Sequence, residues 1–159
     1  MNRYQRLFGS GPTGALISVL LLVLAWQLEP VLAWPALFHS AEMALFAAAL
    51  PALAGAGLLV WSLKSLPVSE RGRGLVTSGV FRYLRHPFYA AFLSGFNIAL
   101  ALFMNNGIYL LWACLLHPVW HWHIRYEEGL MRKEFGDAYR RYCDNTGRFL
   151  PRFWTRGNV

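Results

Sequence analysis

Charge is scarce in this chain, and negative charge scarcest: 8 Asp and Glu stand against 15 Lys and Arg, and charged residues make up only 14% of 159. With 56% hydrophobic residues, that poverty excludes an ordinary soluble domain and points to the membrane class. Cysteine is scarce too. Cys114 lies in an apolar run and Cys143 in a polar tail, so no disulfide or zinc framework is implied and no metal site is expected. No internal repeat or low-complexity tract is present. A soluble-type nucleotide fingerprint is also missing, because "GAG" at 55–57 lies inside an apolar run and "GRGLVTSG" does not follow a convincing strand.

What the chain has is four stretches without Asp, Glu, Lys or Arg: residues 14–28, 43–63, 88–104 and 106–124. Runs of about 17 to 25 apolar residues cross the hydrocarbon layer at 1.5 Å rise per residue. The first is short, but "VLAWPALF" prolongs its apolar character past Pro30. The expected fold is therefore all-α and integral to the membrane, a single domain over 1–159. Its spans are drawn at 13–37, 42–63, 88–104 and 106–124, with a loop at 64–87 and a charged C-terminal helix with its cap at 125–151.

Placement of the bases gives the orientation. All fifteen lie before residue 7, between 64 and 85, or from 125 onward. The positive-inside rule then puts both termini and the 64–87 loop in the cytoplasm, in an inner or plasma membrane. The net charge of +7 is thus an orientation signal, and no nucleic-acid partner is expected. The start "MNRYQRLF" is read as the approach to an uncleaved first helix, since three further spans follow.

Spans three and four form a hairpin through Asn105 and Asn106. In the tail, Glu128 with Arg132 and Asp137 with Arg141 have favourable i, i+4 spacing, and Leu130, Phe135, Ala138, Tyr139 and Tyr142 recur on one helical face. Topology brings the loop and tail to one side of the bundle. Arg82, Arg85, His86, Tyr89, Glu127, Glu128, Tyr139, Tyr142 and Arg148 gather there. Cations that grip carboxylates, carboxylates that hold hydroxyls or ammonium, and aromatic faces that attract cations suit a zwitterionic cofactor with a positive centre.

The stretch "SGVFRYLRHPFYAAFL", followed some forty residues later by "EEGLMRKEFGDAYRRYCDNTGRFLP", resembles the isoprenylcysteine carboxyl methyltransferase and phospholipid methyltransferase superfamily. The likeness runs over residues 79–151, nearly half the chain. It implies a membrane enzyme that takes S-adenosylmethionine on the cytoplasmic side and methylates a lipophilic acceptor arriving among the membrane lipids, a prenylcysteine-type carboxylate first, a phospholipid amine or small thiol otherwise. Carried over by residue, it implies cofactor contacts at Arg85, His86, Tyr89, Glu127, Glu128 and Tyr139, with Glu127, Glu128 and Arg148 as the catalytic or substrate-pocket candidates. Where the family often has glycine two residues after the motif tyrosine, this chain has Ala91.

Rival readings stand beside this one. Arg82 and Arg85 also suit interfacial anchors that fix orientation, as do Tyr139 and Tyr142. His117 and His121, four residues apart, suit a haem or metal ligand pair, although the first two spans offer no histidine to complete it. A non-enzymatic scaffold is the third class. His123 joins the two glutamates as a base for an amine acceptor.

Overall fold

The computed structural model describes residues 9–66 and 74–152. Arg3 and Arg6, positions 67–73 of the 64–87 loop, and Arg156 lie outside them, and with them part of the charge pattern. Five helices make up the described chain: α1 (Gly11–Leu32), α2 (Ala41–Ser65), α3 (Pro87–Phe103), α4 (Gly107–His123) and α5 (Arg125–Asn145). A 3-10 turn, Gly79–Arg82, precedes α3. Among the described residues the sole extended pairings are two isolated bridges, Ala36 with Asn106 and Leu84 with Gly147. The architecture is all-helical.

Local chemistry explains the helix ends. Ser40 accepts the Met43 amide at 3.2 Å, with Glu42 in the first turn of α2 and Lys64 in the last. Asn106 Oδ1 takes the Ile108 amide at 3.1 Å to open α4. Pro87 begins α3, where its missing N–H costs nothing. Past Leu32, Ala33 turns left-handed (φ 47°) and ends α1 short of the 13–37 drawn for it. Asn105, also left-handed at φ 55°, makes the tight turn between α3 and α4.

Helices α1 and α2, 22 and 25 residues with mean hydropathy 2.1, are long and apolar enough to cross a membrane. Their outward side chains are bare: Val31, Phe46 and Leu50 are each at least 75% exposed. A surface that oily demands an apolar surrounding. The core lies on the inner faces, where Leu93, Tyr109, Trp112, Leu116, Trp120, Ile124 and Phe149 cluster.

Two close approaches set the bundle. Gly14 leaves the space that Trp120 fills against α1, and the Trp120 indole donates to Ser18 Oγ at 2.9 Å. On the other side α2 meets α3 at Gly55 and Gly95. A Cβ on Gly55 would sit 3.1 Å from the Ala91 carbonyl and 3.2 Å from the Phe96 nitrogen. There α3 widens into a π turn over Ala91–Phe96. Ala91 itself has ordinary helical dihedrals (φ −59°, ψ −41°) and is buried, so its backbone does not call for glycine.

The tail departs from the uninterrupted helix expected of it. Gly136 takes φ 53°, ψ −126° and breaks α5, a conformation only glycine adopts without strain. The expected apolar face is broken with it: Tyr139 and Tyr142 are buried, but Ala138 is exposed. Replacing Gly55 or Gly95 with valine is expected to cost about 1–3 kcal/mol by overpacking. Thermal melting in detergent checks this, with Gly57→Ala as control: a Cβ there meets nothing within 4 Å, and inside a helix the change should be neutral to stabilising by up to about 1 kcal/mol.

Candidate active site

The site begins with main-chain pairing between two segments far apart in sequence. The Arg85 amide donates to the Gly147 carbonyl at 2.8 Å and the His86 amide to the Arg148 carbonyl at 3.1 Å. A side chain on Gly147 would run into the Leu150 carbonyl. Tyr142 adds a hydroxyl bond to the Phe81 carbonyl at 2.6 Å. The approach to α3 and the loop after α5 are thereby sewn together over the start of α5.

Glu128 lies beneath that seam, 1% exposed. Arg85 Nε donates to its Oε1 at 3.1 Å; Arg148 donates Nε to Oε1 at 3.0 Å and Nη2 to Oε2 at 2.5 Å. His86 Nε2 stands 3.4 Å from Oε1 without hydrogen-bond alignment. Arg85 also donates Nη1 to the carbonyls of Cys143 and Thr146. Burial alone would raise the Glu128 carboxyl, but His86, Arg148 and the Arg85 charge outweigh it and hold the group well below the usual carboxylate range. An acid so firmly ionised is an anchor and a poor proton acceptor. The i, i+4 partner read from the sequence, Arg132, is not among its ion pairs.

Glu127 faces elsewhere. Its Oε2 accepts the Ser10 amide at 2.7 Å and the Tyr89 hydroxyl at 3.2 Å, and its Oε1 lies 3.7 Å from His86 Nδ1. Its side chain remains 21% exposed, against 1% for its neighbour. The rings of His86 and Tyr89 stack at 5.5 Å with 8° between planes, and Tyr89 leans on Trp120 at 4.9 Å. A partly open carboxylate beside an aromatic wall suits a cationic centre. The buried His86 Nε2, lacking a hydrogen bond, is one more polar atom a ligand could satisfy. These residues fit a sulfonium-bearing amino-acid cofactor.

The remaining sequence candidates are distributed around this cluster. Burial, then the Glu128 charge, pushes the Tyr139 phenol up, and burial does the same to Tyr142. His123 Nε2 lies 3.0 Å from Thr13 Oγ1 and 3.1 Å from the Ser10 carbonyl, against the first turn of α1. His121 Nδ1 accepts from Arg148 Nη1 at 3.2 Å, which occupies the lone pair a metal would need at that nitrogen. Sequence reasoning missed Ser10, Trp120 and Phe149. Phe149 packs on both His86 and His121, and its place in the "FLP" that closes the tail was the one available signal.

Removing the anchor charge by Glu128→Gln leaves two guanidiniums uncompensated and should cost about 3–5 kcal/mol. The pH dependence follows from the depressed folded-state pKa. The stabilisation is complete above the unfolded value, about 4.3, and is lost as pH falls below it toward the folded value. Thermal midpoints measured downward from about pH 6 to pH 3 should fall less steeply in Glu128→Gln than in the parent; parallel profiles would rule out Glu128 as the source.

Comparison with known proteins matches the sequence that builds this site to a family. The protein-S-isoprenylcysteine O-methyltransferase A of Arabidopsis thaliana is 30% identical to the chain over 82 residues, covering 52% of this chain and 42% of that protein. The chain thus matches about two fifths of that relative's length. The phospholipid methyltransferase family model matches residues 43–138, a stretch that holds Arg85, His86, Tyr89, Glu127 and Glu128 and stops short of Arg148. With more than half of its length so matched, the chain belongs to the phospholipid methyltransferase family.

Proposed function

We propose that the chain is an S-adenosylmethionine-dependent methyltransferase of the membrane, acting on a lipophilic acceptor. The observation that carries the reading is the pair of adjacent glutamates with opposite fates, one locked by two arginines and the other left partly open beside stacked His86 and Tyr89. Family membership supports the reaction type. Four spans, formed by α1 to α4, agree with helix lengths: α4 has 17 residues, about 26 Å at 1.5 Å rise, close to the hydrocarbon thickness of about 30 Å. In this arrangement the loop and tail share the cytoplasmic face.

When bound, the cofactor supplies a methyl group already activated by its sulfonium, so the protein's work is to bind, orient and exclude water. Glu127, Tyr89 and His86 would hold it. Arg85 and Arg148 act through Glu128 to fix the segments that carry those residues. A carboxylate acceptor, as in the prenylcysteine-type substrate named for the Arabidopsis relative, ionises near pH 4 and needs no base, whereas an amine near 10 must lose a proton first. A firmly ionised Glu128 takes no part as a base in either case. A phospholipid amine acceptor would place that duty on Glu127 or His123.

Calorimetric titration of the detergent-solubilised protein with S-adenosylmethionine tests the reading. We expect saturable binding, weakened at least about ten-fold in Glu127→Gln by loss of a charged contact. No binding to folded protein would overturn the proposal. Methyl-labelled cofactor incubated with membrane extract then identifies the acceptor: a base-labile ester for a carboxylate, a stable amine or thioether otherwise.

A further inference from the structure

A second cleft lies between the loop that leads to α3 and the last turns of α5, lined by Thr77, Arg82, Arg141, Tyr142, Asn145 and Thr146. It borders the Glu128 cluster at Tyr142 and at Thr146, whose carbonyl Arg85 holds, but neither Glu127 nor Glu128 lines it, and among the described residues no carboxylate does. Its walls are fixed by bonds made elsewhere: Tyr142 Oη to the Phe81 carbonyl at 2.6 Å, Thr146 Oγ1 to the Arg82 carbonyl at 3.4 Å, and Asn145 Nδ2 to the Arg141 carbonyl at 2.9 Å.

The two guanidiniums are spent on none of this. Arg82 and Arg141 are both exposed, and among the described residues neither forms an ion pair. Asp137, correctly spaced to neutralise Arg141, pairs with Arg140 instead at 3.5 Å. Two planar five-donor forks beside a threonine hydroxyl, with no acid among the described lining residues, suit a tetrahedral oxyanion of more than one charge. The cavity, about 460 Å³, is of small-ligand size and leaves room for the organic part of an ester. Arg82 also lies five residues before Pro87, where α3 begins.

We infer that this cleft binds a phosphate group, carried by an anionic lipid headgroup or by a soluble phosphate. The inference is independent of the methyl-transfer reading, since its test reads phosphate binding and not methylation. Native mass spectrometry of the detergent-solubilised full chain, titrated separately with dihexanoyl phosphatidic acid, inorganic phosphate and dihexanoyl glycerol, provides the test. Phosphatidic acid should bind and the phosphate-free glycerol should not. The double variant Arg82→Gln/Arg141→Gln should weaken binding at least about ten-fold, and Arg141→Gln alone by a smaller factor, while Arg140→Gln leaves it unchanged. Arginine-dependent binding of inorganic phosphate at the same concentrations assigns a soluble ligand; binding of the lipid alone assigns a headgroup. Absence of phosphate binding, equal affinity in the double variant, or equal loss in Arg140→Gln overturns the inference.

Discussion

A buried carboxylate that cannot be left alone organises this molecule. Glu128 has almost no contact with solvent, and an unpaired charge in that position would be prohibitive. It is satisfied by Arg85 from the approach to α3 and by Arg148 from the loop after α5. Arg148 extends the reach, since its Nη1 also donates to the His121 carbonyl at 3.1 Å. One acid therefore ties together the approach to α3, the end of α4, the start of α5 and the closing loop. The bridge between Leu84 and Gly147 runs beside it and adds direction to the join.

Neighbouring residues on a helix point about 100° apart, and this places Glu127 in a different environment from Glu128. Glu127 looks toward α1 and Tyr89, keeps some exposure, and meets amide and hydroxyl donors instead of guanidiniums. Both arginines pair with Glu128 and leave Glu127 to other donors. The same local sequence thus supplies a rigid support and, next to it, a carboxylate that is still available.

Much of this was legible in the residues, and the failures have a physical pattern. Proline and asparagine marked real boundaries, because Pro87 and Asn106 act through their own backbone geometry or capping groups. The motif pair brought Arg85, His86, Tyr89, Glu127 and Glu128 into one list, and these side chains do meet. Local spacing misled in the tail. The i, i+4 rule offered Arg132 to Glu128 and Arg141 to Asp137, yet Glu128 found partners 43 and 20 residues away and Asp137 took Arg140. Periodicity also ran straight through Gly136, because an exposed glycine in a helical pattern gives no sign of whether it breaks the helix.

The first turn of α1 carries a different lesson. Ser10 meets Glu127 through its amide, and its carbonyl receives Thr13 Oγ1, the Gly14 amide and His123. Every recorded bond at that position is made by main chain, which all amino acids but proline can supply. The helix with the least distinctive sequence therefore enters the site through the backbone of the residue that precedes it, at a position whose side chain is limited by burial and not by a bond. A proline at position 10 would delete a donor to the more open of the two carboxylates.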